Sequence, residues 1–141
     1  MLQMYQKMLN SGLTFLTSIQ SISPRIQGVK MKIQRLRASH ILISHQGATA
    51  QTSNRPEPAA EQEAGFIIQD IIEGLLTFDQ AAREHSACRR SAKNGGDLGW
   101  FDFPGDMEYE IAKPISGINK DEMLTVPIKT EYGYHILLRT G

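Results

Sequence analysis

MLTVPIKTEYGYHILLRT, residues 123–140, reads as two strands folded back on each other. Its apolar arms flank Thr130-Glu131-Tyr132-Gly133, where the glycine gives the chain the freedom a tight turn needs, and Ile136, Leu137 and Leu138 make the second arm strongly apolar. A terminal hairpin fixes one antiparallel pair, so the fold depends on what the hairpin finds upstream. Residues 38–44, ASHILIS, supply a short apolar run with β-branched Ile41 and Ile43, read as a buried first strand, and Leu98 to Phe101 enters another.

Helices fill the space between these strands. In EQEAGFIIQDIIEGLL, residues 61–76, Ala64, Ile67, Ile68, Ile71, Ile72, Leu75 and Leu76 recur at helical spacing, and Glu57, Glu61 and Glu63 sit near the positive helix start. Gly74 ends or loosens this helix. Thr77 with Gln80 three residues on is the signature of a capping box, opening a short second helix with Phe78, Ala81, Ala82 and His85 on its inner face. A third short helix is expected near Met107 to Ala112, with Pro114 excluded from its interior. Residues 46–58, small, polar and Pro-containing, read as a surface loop. The order strand, helix, helix, strand, short helix, strand, strand predicts an α+β domain: a small, four-stranded, mainly antiparallel sheet covered by three or four helices.

The composition fits one such domain with an appendage. Of 141 residues, 40% are hydrophobic and 21% charged, ordinary values for a globular chain. A single cysteine, Cys88, excludes an intramolecular disulfide and a cysteine-rich zinc site. The formal net charge of zero hides an asymmetry. Seven of the fifteen Lys and Arg and none of the fifteen acids lie in residues 1–56, which leaves eight bases against fifteen acids in the rest. Residues 1–34 read as an amino-terminal extension. The first thirty residues, rich in Ser, Thr and Gln and free of acids, resemble an organellar transit peptide, while Leu2, Tyr5, Met8 and Leu9 form a helical stripe suited to an attached arm, and Met31 is a possible functional start. The compartment stays open: cytoplasmic or, if residues 1–30 are a transit peptide, organellar. The apolar run from Leu13 to Ile19 is broken by Thr14, Thr17 and Ser18 and is too short to span a bilayer. The basic first 56 residues lack aromatic interleaving and a matching motif, so no nucleic-acid partner is expected.

Three motifs, ASHILI (38–43), GGDLGWF (95–101) and YGYHILLRT (132–140), in this order and at these separations, resemble the parvulin-type peptidyl-prolyl cis/trans isomerases, of the type without phosphate specificity. The resemblance covers residues 35–141, and no WW-type module precedes it. It implies a rotamase that turns X-Pro bonds in proline-containing peptides or unfolded proteins, acting as a monomer. Such a catalyst must overcome about 18–20 kcal/mol, the cost of sacrificing amide resonance. No covalent bond breaks, and neither cofactor nor metal is expected. It has to grip the proline ring, strip water from the amide and favour the twisted state.

The resemblance places the proline pocket at Leu98, Met107 and Ile111. Ile111 stands where a phenylalanine is usual, and a one-residue insertion between Asp97 and Met107 leaves Ala112 as a rival. From spacing alone these residues read first as core side chains. The polar set implied is His40, His135 and Cys88, with Thr130 able to fix a histidine tautomer. A buried, satisfied histidine pair is the structural alternative, and it is compatible with a pair that shapes the pocket. Cys88 stands at a family position held by Cys or Asp, where a partly negative group disfavours the planar amide, and Arg89, Arg90 and Lys93 are expected to favour its thiolate. For His85 a core or helix-end role is set against catalysis. A metal site built from His40, His45, His85, His135 and Cys88 lacks any short ligand spacing. In SHQGATAQTSN, Ser44, Thr49 and Ala50 occupy the places where phosphate-directed members carry bases, and only Arg55 follows, so no strong phosphate requirement is expected. The alternative of another class is a catalytically weak parvulin-fold module that binds proline-containing segments as a chaperone or scaffold; Ile111 and Pro114 favour it.

Overall fold

Period-two alternation in β1 (Gln34–Ile43) sends apolar side chains to both faces of the sheet. Leu36 and Ala38 point one way, and Ile41 and Ile43 the other; all four are buried. A strand buried on both faces belongs at the centre, and β1 lies between β2 (Asp97–Phe103) and β4 (Gly133–Arg139), with β3 (Ile128–Thr130) at the far edge. The order is β2-β1-β4-β3 and every pair is antiparallel, in keeping with the mainly antiparallel sheet expected. The computed structural model describes residues 32–50 and 53–141, so the transit-peptide and helical-arm readings of residues 1–31 lie outside the described residues. Residues Ile33–Gly141 form one compact unit.

Helices α1 (Glu57–Ile72) and α2 (Phe78–His85) cover one face. Ala60, Ala64, Ala81 and Ala82 allow them to approach closely, and Ile67 and Ile68 meet Ile41, Ile43, Tyr134 and Ile136 of the sheet. Helix α1 begins in what read as loop, with a proline in its first turn, where a missing N–H costs no intrahelical bond. It stops at Ile72, before Gly74 at φ +77°. Ile72 and Leu75, counted into the apolar stripe from spacing, are exposed, while Ile71 and Leu76 pack on the core. The capping box at α2 is formed: the Gln80 N–H donates to Thr77 Oγ1 and the Thr77 N–H to Gln80 Oε1. His85, expected on the inner face, is the last residue of the helix and is exposed, with Glu63 and Glu84 nearby, in keeping with the helix-end alternative.

On the opposite face, Leu36, Ala38, Phe101 and Leu137 pack against Ile111, Ala112 and Ile115 of α4 (Tyr109–Ser116). This helix runs four residues beyond expectation and includes Pro114 in its last turn. The carbonyl that loses its partner belongs to exposed Glu110, where water can replace the missing N–H. One further turn, α3 (Arg89–Ala92), lies in a stretch that read as loop. The hairpin's first arm is short because Pro127 has no N–H to donate. Upstream of it Met123 bridges to Leu138 and the Leu124 N–H reaches the Leu137 carbonyl.

Candidate active site

The alternation that buries Leu36, Ala38 and Leu137 on the α4 face continues to His40 on β1 and His135 on β4. In the β1–β4 register His40 pairs with Leu137 and Leu42 with His135, so the two imidazoles sit diagonally on one face. Their Nδ1 atoms are 3.0 Å apart and the rings stack at 5.2 Å. Both are buried. Thr130 Oγ1 lies 2.6 Å from His135 Nε2 and accepts the Tyr132 N–H at 3.2 Å.

These contacts constrain the protons. Burial first, and the neighbouring His40 second, push the His135 pKa down to about 3, so the ring is neutral and carries a single N–H. When that proton is on Nε2 it is donated to Thr130, and His135 Nδ1 accepts from His40. When the Thr130 hydroxyl donates to Nε2, the proton sits on Nδ1 and His40 accepts. Thr130 therefore sets which role His40 plays at the pocket. With Nδ1 turned to His135, the buried His40 Nε2 is the ring atom left to interact with the Cys88 thiol.

Cys88 arrives beside this pair because the β1–β2 ladder ends early. Beyond the Ser39–Asp97 pair the segment Ser86–Gly96 takes over the edge of β1. The His40 N–H donates to the Gly96 carbonyl, the Leu42 N–H to Ser86 Oγ, and the Ala87 N–H to the Leu42 carbonyl. Ser86 Oγ also accepts the Cys88 N–H. The thiol is free and half-buried, with its pKa lowered to about 6 by the His40 side chain first, against a raising influence of burial, and then by Ser91. Arg89, Arg90 and Lys93, expected to stabilise the thiolate, are exposed and not among the causes.

His40, His135 and Cys88 share a cavity of about 470 Å³ with Leu98, Met107 and Ile111. Leu98 is the extra residue of a β-bulge, since Ala38 pairs with Gly99 and Ser39 with Asp97; the bulge frees it from the ladder next to the cavity. Ile111, itself buried, lines the cavity, while Ala112 is fully buried in the core and does not line it. Thr130 does not line the cavity and reaches it only through His135. Leu42, Glu108 and Tyr132 line it too, unforeseen from sequence; the position of Glu108 next to Met107 was the available signal. Glu108 has its pKa raised by burial first, then by Glu110 and Glu131, with His40 opposing. Thr49 and Ala50 form part of the wall, Arg55 does not, and the basic lining residue is Arg90. Among the described residues no three His, Cys, Asp or Glu side chains gather as a metal site.

The family model for the rotamase, a PPIC-type PPIase domain, matches residues 40–141, which hold every residue of this constellation. The chain belongs to the PPIC-type peptidyl-prolyl isomerase family. A relative, peptidyl-prolyl cis-trans isomerase Pin1 of Malus domestica, is 34% identical over 117 residues, covering 76% of this chain and 94% of its own. The foldase protein PrsA of Bacillus subtilis is 34% identical over 114 residues, but the chain spans only 32% of its length. Among solved structures, the peptidyl-prolyl isomerase ESS1 from Candida albicans superposes with a TM-score of 0.70 at 28% identity, covering 76% of this chain and 63% of that one. The isomerase domain thus has the fold of these relatives, a four-stranded antiparallel sheet with four helices. No helix among its described residues is long and apolar enough to cross a membrane.

Proposed function

We propose that this peptidyl-prolyl cis/trans isomerase turns X-Pro bonds in the cavity between β1, β4, α3 and α4, with the domain taken as residues 35–141 and the active species a monomer. Leu98, Met107 and Ile111 form the socket for the pyrrolidine ring. Its apolar wall removes water from the amide, and water stabilises the planar, polar form more than the twisted one. Cys88, largely thiolate at neutral pH, faces the rotating carbonyl; its charge opposes the polarised planar amide and favours the state in which resonance is lost. His40 holds that thiolate, and His135 with Thr130 holds His40. The histidine pair shapes and tunes the pocket and does not transfer a proton to substrate. The observation that carries the reading is the convergence of His40, His135 and Cys88, from separate parts of the chain, on the cavity walled by Leu98, Met107 and Ile111.

The substrates are proline-containing peptides and unfolded proteins without a phosphate requirement, and nucleic acid is not among the partners. Thr49 and Ala50 on the cavity wall, with Arg55 away from it, support this. Replacing Cys88 by Ala, Ser and Asp and measuring isomerisation of an X-Pro peptide tests the electrostatic role: Ala lowers activity and Asp restores part of it. Full activity in Cys88→Ala with no gain in Cys88→Asp removes that role. A Ser-Pro peptide and its phosphorylated form are turned over within about tenfold of each other, a difference of about 1.4 kcal/mol; a larger preference for the phosphopeptide contradicts the assignment.

A further inference from the structure

His45 is buried, 5% exposed, and does not line the cavity that His40, His135 and Cys88 share. Its Nε2 has no hydrogen-bond partner among the described residues. The bond its ring does make there is accepted at Nδ1, from the Gly47 N–H at 3.1 Å. A core position loses by holding an imidazole with an unpaired nitrogen, so the bond to Gly47 is what sets His45 apart from an apolar residue of similar size. The Ala48 N–H donates to the His45 carbonyl, so His45 opens a β-turn and its side chain caps the third residue of that turn, as asparagine does at such positions. Directly after the turn the chain becomes cavity wall, at Thr49 and Ala50. The Thr49 N–H donates to the Glu131 carbonyl at 2.8 Å, which ties this wall to the β3–β4 turn that carries the lining residue Tyr132. Ala50 has φ +69°, a left-handed conformation that an alanine keeps only where its surroundings hold it. The wall is thus held at Glu131 on one side and at His45 on the other.

We infer that His45 is a positioning residue for the isomerase: through Gly47 it fixes Thr49 and Ala50 as the wall against which the substrate chain lies. The inference rests on the cavity being the isomerase site and deepens that reading. His45 acts through the backbone it caps and does not touch the substrate. Thr49 and Ala50 belong neither to the socket for the proline ring nor to the partners of the thiolate. Loosening them therefore weakens the hold on the peptide and leaves the rotation step unchanged, which raises KM and spares kcat.

The test measures kcat and KM separately for an unphosphorylated X-Pro peptide. His45→Leu keeps the bulk and removes the acceptor, and is expected to raise KM about three- to tenfold, the worth of one hydrogen bond, with kcat kept. His45→Asn, whose Oδ1 stands where Nδ1 does, returns KM to the wild-type value, whereas His45→Gln, whose amide reaches only the Nε2 position, does not. A side chain that merely stabilised the fold would produce no such split between KM and kcat and no rescue specific to asparagine. Nitrogen NMR of the wild-type protein needs no variant to fold: His45 is expected with Nδ1 unprotonated and the proton on Nε2. A wild-type KM in His45→Leu, equal KM values for the Asn and Gln variants, or a proton on Nδ1 overturns the inference while leaving the isomerase reading intact. Failure of the wild-type protein to turn over any X-Pro peptide removes both.

Discussion

Adding one methyl group at Gly96 should unfold this domain more readily than almost any change of similar size. Gly96 has φ +85°, a left-handed conformation that costs an L-residue about 1–2 kcal/mol. A Cβ built there lies 2.2 Å from the His40 carbonyl oxygen and 3.3 Å from Ala82 Cβ. Carbon and oxygen need about 3.3 Å, so β1 or the Gly95-Gly96 turn must move by about 1 Å. Overpacking of this kind costs about 1–3 kcal/mol. Gly96→Ala is therefore expected to lose about 2–5 kcal/mol, a large share of the 5–15 kcal/mol typical of a domain. Gly65→Ala is the internal control, because that glycine is exposed in the middle of α1, with nothing within 4 Å of its Cβ. It should gain about 0.5–1 kcal/mol from helix propensity alone. Urea unfolding at 25 °C reads both, with unchanged m-values. The Gly96 carbonyl also accepts the His40 N–H at 2.9 Å, so the Gly96→Ala protein that remains folded should show displaced His40 and His135 imidazole nitrogen shifts. A loss below about 1 kcal/mol would refute the packing argument, and undisturbed imidazole shifts would refute its link to the site.

Thr130→Val keeps the shape but removes the hydroxyl, leaving His135 Nε2 and the Tyr132 N–H without this partner; a loss of about 1–3 kcal/mol is expected, with a change in the His135 tautomer seen by nitrogen NMR, and an unchanged tautomer would contradict the relay. Alkylation of Cys88 by iodoacetamide should follow a thiolate titration with a midpoint of about 6, fast above it and slow below, and His40→Phe should move the midpoint upward; a midpoint in the ordinary thiol range would remove the thiolate from the account. Because His135 has a folded pKa of about 3, below its unfolded value, the unfolded state alone takes up this proton as pH falls below about 6.5. Stability should therefore fall between that pH and about 3, by up to 1.4 kcal/mol per pH unit from this group, and His135→Gln should flatten the profile.

The sheet was legible because its signals are local. Alternation in ASHILI and the glycine of the terminal turn revealed the first strand and the hairpin, whereas the placing of His40 beside His135 came from the family resemblance, since β1 and β4 pair across a separation of 95 positions. The capping box at Thr77 and Gln80 was equally legible, since both partners lie within one turn. What sequence left open depends on contacts between distant residues. The bulge that frees Leu98 is a register shift visible only when β1 and β2 are paired. The low pKa of Cys88 comes from His40, 48 positions away, while the nearby arginines that looked responsible are exposed. The start of α1 and the end of α4 were misplaced because one proline serves in a first turn, where its missing N–H costs no bond, and Pro114 in a last turn, where the carbonyl it frees is exposed to water. Glu108 went unread because its place on the cavity wall depends on segments distant in sequence.

The central claim is that the socket of Leu98, Met107 and Ile111 catalyses rotation about a prolyl bond. Two-dimensional exchange NMR on an unphosphorylated X-Pro peptide, with a catalytic amount of the protein, measures that rotation directly. The account predicts cis/trans exchange cross-peaks at mixing times where the free peptide shows none, and their loss in a Leu98→Asp, Met107→Asp variant that still folds. Binding shifts at the cavity residues with no gain in exchange rate would make this chain a proline-segment binder and contradict the account.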